Sequence, residues 1–162
     1  MTPRIFTVEQ ANILIPTLDE ILEQIAAKKA AAQVHYGKIK LLDTMWGAEI
    51  KKASNPDHED FQQHLDKYSA IAQDLEALVQ RQITDRGLRF PYGGLEHGLI
   101  DFPTTFEGRW VLLCWQKGED QVNYWHELDG GYAGRQEILA EHVIYMGGEE
   151  DLPDDSALGL GD

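Results

Sequence analysis

The chain has 162 residues, a net charge of -14 at pH 7, 43% apolar residues and one cysteine, Cys114. That length suits one domain that buries a core without a structural metal, and a lone cysteine excludes an internal disulfide. Residues 1–94 carry 13 acids against 11 bases and residues 95–162 carry 15 against 3, so the second part repels phosphate backbones and anionic lipids and favours cationic partners or metals.

Met1 to Thr7 lacks the charged region and apolar run of a secretion signal. No apolar stretch reaches the roughly 18–20 residues that cross a bilayer, since Trp110 to Trp115 lies between Arg109 and Gln116. A reducing cytoplasm is the expected location, with neither nucleic acid nor membrane as partner. An RNA-binding reading through Lys28, Lys29, Lys38, Lys40, Lys51 and Lys52 lacks a basic patch with interleaved exposed aromatics, because acids flank those lysines.

Phe6, Thr7 and Gln10 form a capping box, which starts a helix at Val8. Pro16 lies inside the pattern that follows, where its ring meets the preceding turn, so a kink or short break is expected near Leu14. Leu18, Ile25, Ala32, Ile39, Trp46 and Ala53 recur every seven residues, and Leu22, Tyr36, Leu42 and Ile50 broaden the stripe into a coiled-coil-like face. Lys28 and Lys29 interrupt it with stems that lie over apolar surface. Ser54-Asn55-Pro56-Asp57 marks a reversal. A second helix then runs through Phe61, Leu65, Tyr68, Ala72, Leu75, Val79 and Ile83 to Gly87, which can close it in the left-handed conformation.

From Arg89 onward Pro91, Gly93, Gly94 and Gly98 end the helical period. Strands are expected at Leu99–Phe102, Trp110–Gln116 and Gln121–Leu128, with turns at Thr104–Gly108 and Lys117–Asp120. Ile138 to Met146 reads equally as strand or short helix. The fold class is α+β: a long antiparallel helical hairpin (8–53 and 57–86) followed by a small antiparallel meander (95–136), in one domain of residues 1–146. Residues 147–162 are glycine- and acid-rich and are expected to be a disordered tail.

Strand alternation sorts the candidate chemistry onto faces. Val122, Tyr124, His126 and Leu128 point one way and Asn123, Trp125 and Glu127 the other, so His126 and Glu127 should not share an ion unless a bulge intervenes. Donors for a divalent metal are His97, Asp101, Glu119, His126 and Glu127, without any recognised ligand spacing. His126 and Asp101 are the metal candidates, and the bland alternative is a packed histidine with one hydrogen bond. Cys114, among Leu112, Leu113 and Trp115, reads as an inert core thiol. Ser54, Ser69 and Ser156 sit in a helix junction, a helix and the tail, which excludes a nucleophile elbow.

Gly130, Gly131 and Gly134 ahead of Arg135 form either an anion-holding loop or a tight return in which Arg135 pairs with Asp101, Glu127 or Asp129. Trp110, Trp115, Trp125 and Tyr132 either line a pocket or pack as core, and only one sheet face is expected to be covered by the hairpin.

Gly98-Leu99-Ile100-Asp101-Phe102-Pro103, Leu113-Cys114-Trp115, Gly118-Glu119, Trp125-His126-Glu127-Leu128 and Gly131-Tyr132-Ala133-Gly134-Arg135 resemble segments of the prokaryotic family called domain of unknown function 2203. Phe6-Thr7, Glu9, Ala11-Asn12 and Leu14-Ile15-Pro16 resemble its amino-terminal helix, so the likeness spans most of residues 5–136. The resemblance implies a helical hairpin with a strand-rich carboxyl part and transfers no functional role. It places Asp101, Trp115, Glu119, His126, Glu127 and Arg135 in family motifs and leaves His97 and the acidic tail outside them. The Phe90 to His97 segment departs from the pattern.

Two functions follow as expectations. The first is a cytoplasmic module binding another protein or a second copy through hydrophobic surface, motivated by the stripe with Tyr36 and Trp46. The second is an enzyme or sensor binding a metal or small anion near Asp101, His126, Glu127 and Arg135, with Trp115, Glu119, Trp125 and Tyr132 as further ligand-site candidates. No cofactor is required by either reading beyond that metal.

Overall fold

The computed structural model describes residues 4–148, 153 and 158. They form two compact units, one of residues 21–81 and one joining residues up to 20 with those from 82 onward. Helix α1 (Val8–Trp46) contributes to both. The capping box is made as its residues predict: Thr7 N–H donates to Gln10 Oε1 (3.0 Å) and Gln10 N–H to Thr7 Oγ1 (3.1 Å). α1 continues through Pro16, so of the kink or short break expected near Leu14 the break does not occur. Pro16 is exposed, where water can satisfy the carbonyl that its ring leaves without a partner.

In the unit of residues 21–81, α1 ends at Trp46 rather than Ala53, because Gly47 takes a positive φ and Gly47–Lys51 tightens into a 3-10 turn. Asp57 N–H donates to Asn55 Oδ1 (2.8 Å), and Trp46 Nε1 donates to Asp57 Oδ2 (2.7 Å), which ties the reversal to the end of α1. α2 (His58–Gln82) follows. Late residues of α1 face early residues of the returning segment, in the reversed order an antiparallel hairpin requires: Trp46 meets Asp57, just ahead of α2, and His35 and Tyr36 meet His64 and Tyr68. Leu42, Ile50 and Phe61 form a buried cluster with Ile39, Trp46 and Leu65 against it. The apolar stripe is narrower than its sequence suggests, for Tyr36 and Ala53 are exposed. After α2, Gly87 takes φ 84°, and a Cβ there would meet the Arg4 Cβ at 2.8 Å.

The other unit is built on an antiparallel sheet of order β1-β2-β3-β4: β1 (Leu99–Phe106), β2 (Arg109–Gln116), β3 (Tyr124–Glu127) and β4 (Gln136–Glu137). A one-turn helix, α3 (Gly94–His97), precedes it and α4 (Ala140–Tyr145) follows, which resolves Ile138 to Met146 in favour of a short helix. The α+β assignment therefore holds. The expected turn at Thr104–Gly108 shrinks to two residues, because β1 pairs with β2 as far as Phe106 with Arg109. Cross-strand pairing of Thr104 with Val111 and Thr105 with Trp110 extends the strand through two β-branched residues that looked like loop. β3 is shorter than Gln121–Leu128, starting only at Tyr124.

Both faces of β1 and β2 are buried, contrary to the expectation of one open face. Ile100, Phe102, Val111, Leu112, Leu113 and Trp115 are almost wholly enclosed, and each such apolar side chain contributes roughly 1.5–3 kcal/mol. Phe6 closes one face edge-on against Phe102 at 5.6 Å, its N–H bonded to the Pro103 carbonyl (2.9 Å). The start of α1 is tied to the sheet unit by Val122 N–H, which donates to Asn12 Oδ1 (2.7 Å). Most of residues 147–162 lie outside the described residues, and so does the expectation of a disordered tail there. Leu158, which is described, is buried, and its carbonyl accepts from Arg89 Nη1 (3.3 Å).

The two-residue turn has φ 53° at Glu107 and φ 75° at Gly108, the positive pair that a type I′ hairpin needs. Glu107 is the strained member, since a non-glycine residue in the left-handed region loses roughly 1–2 kcal/mol. Glu107→Asn is expected to stabilise the chain by about 1 kcal/mol, because its exposed ion pair with Arg109 contributes little. Urea unfolding measures this, and an unchanged or lowered midpoint contradicts the turn assignment.

Candidate metal centre in the sheet

Three polar side chains converge inside the sheet on one face. Asp101 pairs directly with Cys114 across β1 and β2, and Cys114 pairs with Tyr124 across β2 and β3, which puts His126, two residues on, on the same face. Carboxylate, thiol and imidazole ligand atoms lie within 4.8 Å of one another, and all three residues are buried. Asp101 is further held in place by paired backbone bonds with Arg89 (2.9 and 3.2 Å) on its outer edge.

The hydrogen bonds orient the imidazole. His126 Nδ1 lies 2.7 Å from the Glu127 carbonyl, which can only accept, so Nδ1 carries a proton. Nε2 then faces Asp101 Oδ1 at 3.2 Å. Burial pulls the His126 pKa down, but the bonds to Asp101 and the Glu127 carbonyl outweigh it and leave it raised. Arg89 opposes them weakly. Burial, then the Asp101 charge, pushes the Cys114 thiol up to about 12, with Arg135 acting the other way. Cys114 is buried in the core, as its apolar neighbours in the sequence lead one to expect, while its Asp101 neighbour escapes any sequence pattern. Asp101 Oδ2 is buried and finds no hydrogen-bond partner among the described residues, an arrangement that is costly unless something else occupies it.

A second cluster forms around Arg135. Its Nη2 donates to Glu119 Oε1 (2.7 Å), and the same oxygen accepts from Gln116 N–H (2.5 Å). The guanidinium lies 4.2 Å from the Tyr124 ring and 5.1 Å from the Tyr132 ring. Arg135 therefore pairs with Glu119, not with Asp101, Glu127 or Asp129 as its neighbourhood in the sequence suggests. The loop Lys117–Asp120 folds back over the end of β2, with Trp115 Nε1 donating to the Glu119 carbonyl (2.9 Å). Burial lowers the Arg135 pKa, and the Glu119 bond more than restores it.

The remaining candidates separate from these clusters. Glu127 points to the opposite face from His126 and takes two bonds from Arg109 Nε (3.2 and 3.0 Å) and one from Nη2 (2.5 Å). The Arg109 bond holds the Glu127 carboxyl below its usual range. Trp115 and Trp125 also lie on that opposite face, where Trp125 contacts Phe106 and His142 as core. Tyr132 is largely exposed, its hydroxyl 3.3 Å from Gln116 Oε1. His97 sits at the exposed end of α3 instead of extending β1, which removes it from the metal candidates.

All three converging residues, and both members of the Arg135–Glu119 pair, come from segments that match a known family. Residues 4–138 match the model of an uncharacterized conserved protein, DUF2203. The chain belongs to this family. No curated protein and no solved structure matches it. The DUF2203 motif segments thus meet in space around Asp101, Cys114 and His126 on one side of β2 and around Arg135 at its end.

Proposed function

We propose that this DUF2203 chain binds one divalent metal ion, of the zinc class, through Asp101, Cys114 and His126, and that the bound ion serves a structural or sensing role. The observation that carries this reading is the convergence of one oxygen, one sulfur and one nitrogen donor within 4.8 Å in a buried place. Tetrahedral zinc with bonds of 2.0–2.3 Å separates its ligand atoms by about 3.3–3.6 Å, so side-chain rotations of roughly an ångström complete the geometry. Mixed thiolate, imidazole and carboxylate donors suit zinc better than calcium or magnesium, which take oxygen. The Nδ1–H bond to the Glu127 carbonyl supports the reading further, since a metal-bound histidine donates its other N–H to a carbonyl or carboxylate. Asp101 Oδ2 is available as an additional donor.

Burial argues for a closed site rather than a catalytic one, which keeps a position open to substrate. The open cavity near the sheet, about 470 Å³, is lined by Phe106, Glu107, Glu141, His142 and Tyr145 and does not include the three donors. The test is metal analysis of untagged protein, followed by zinc titration of the demetallated chain. One equivalent is expected at this site, followed at His126, and Cys114→Ser or His126→Gln should weaken it by more than the roughly 10–100-fold that loss of an outer-shell partner costs. Absence of stoichiometric binding in the wild type sinks the proposal.

A second reading, a cytoplasmic module that binds a protein or itself, is favoured by the exposed apolar residues around α4. Leu139, Val143, Ile144 and Tyr145 are all exposed there, a concentration that isolated surface residues do not show. The single free thiol agrees with a reducing compartment. Sedimentation across a concentration series decides for self-association, and a strict monomer leaves this reading without a partner of its own kind. Among the described residues no helix is long and apolar enough to cross a membrane.

A further inference from the structure

The helical hairpin holds a pair of histidines that the sheet site does not use. His35 on α1 and His64 on α2 are 29 residues apart in sequence, yet their Nδ1 atoms lie 3.0 Å apart and their rings 5.2 Å apart. Both rings are half-buried, between the Tyr36–Tyr68 contact and the Leu42, Phe61 and Leu65 cluster.

We infer that His35 and His64 form a second metal site, a two-histidine clamp for a borderline divalent cation such as zinc, copper or nickel. Its geometry matches that of neighbouring ligands on one ion. Bonds of 2.0–2.1 Å place two imidazole nitrogens about 2.9 Å apart at a right angle and about 3.4 Å apart at the tetrahedral angle, and the observed 3.0 Å lies within that interval. Without an ion, one Nδ1 must donate to the other, so one ring is fixed in each tautomer. An ion takes the place of that single proton, which moves to Nε2 of the same ring, and satisfies both lone pairs.

The outer shell agrees. Asp60 Oδ1 lies 3.7 Å from His64 Nε2, one helical turn away on α2, on the side of the ring opposite the clamp. A carboxylate on that side favours a proton on Nε2, which turns Nδ1 toward the clamp as the ligand atom. His64 retains partial exposure, 18% of its side chain, so water can reach the remaining coordination positions. Imidazole nitrogen donors select zinc, copper and nickel over magnesium or calcium.

The experiment is zinc titration of the full chain, followed through the ring resonances of each histidine by NMR. His35 and His64 are expected to shift together, saturating at micromolar zinc. His35→Gln should abolish the response of His64 and His64→Gln that of His35, while the response of His126 is unchanged. Each substitution should weaken this binding at least tenfold. If zinc at 1 mM moves neither ring, or if one histidine still responds fully after its partner is replaced, the clamp is refuted and the contact is a plain hydrogen bond. Should either variant fail to fold, which circular dichroism reports, the paired shifts in the wild type decide the matter alone. Failure of the sheet site reads out separately, at His126.

Discussion

Arg135→Ala should destabilise the sheet unit by about 3 kcal/mol, because it leaves Glu119 a mostly buried carboxylate without its cation. Only 10% of the Arg135 side chain and 21% of the Glu119 side chain are exposed, so water recovers little of the loss. Two further contributions go with it: the stacking over Tyr124 at 4.2 Å and the bond to the Cys114 carbonyl (3.4 Å). Arg135→Lys retains the charge but not the planar fork, so it should recover roughly half of the deficit. Urea unfolding gives both values. A loss within about 0.5 kcal/mol for Arg135→Ala, as for an ordinary surface position, shows that the pair is not structural. The same substitution also removes the positive charge that counteracts the rise of the Cys114 thiol. Zinc affinity should fall along with stability.

The metal-free and zinc-loaded chains should respond to pH with opposite slopes. In the metal-free chain the His126 pKa is raised above 6.5. The folded state then holds its proton more tightly than the unfolded chain, so this contribution is complete below the unfolded value and disappears as pH rises through the folded one. Stability of the metal-free protein should therefore decline from about pH 6.5 upward. Zinc reverses this, since it needs His126 Nε2 unprotonated and Cys114 as thiolate, and with the thiol held up to about 12 both protons must leave. Affinity can then rise by up to roughly 100-fold per pH unit while both groups are protonated.

At free zinc a thousand times the dissociation constant the gain is about 4 kcal/mol, or roughly 8–16 °C in melting temperature for a chain of this size. Melting curves at pH 6, 7 and 8, in chelator and in zinc, measure both slopes. Parallel curves at every pH mean that the three donors do not hold an ion. Glu127 supplies an internal control at the acid end. Its pKa is lowered by Arg109, so that pair stabilises above the unfolded carboxyl range and loses its effect as pH falls through the depressed value, with or without metal. With both side chains about 40% exposed the contribution is small.

Much of the local structure is legible in the residues themselves. Thr7 and Gln10 start α1, Gly87 terminates the turn after α2, and Asn55-Pro56-Asp57 reverses the chain, because capping and turn geometry depend on neighbours a few positions away. Alternation along β3 places His126 and Glu127 on opposite faces, as their separate partners Asp101 and Arg109 show. The two histidines of the hairpin were also visible in principle. His35 falls seven residues before Leu42, and His64 three after Phe61, so both sit on the apolar stripe where a polar ring needs a partner.

Composition and periodicity, then, determined the two long helices and the main strands, the hairpin, the α+β class and the opposed faces of β3, all consequences of short-range sterics and hydrophobic spacing. Tertiary structure alone decided the rest. Arg135 reaches Glu119 across 16 residues and not its nearer acids, and Cys114 becomes the middle of an Asp101–Cys114–His126 group. Those outcomes depend on strand register, where a shift of one residue turns every side chain to the other face, and register is set by the pairing of whole strands rather than by any single segment.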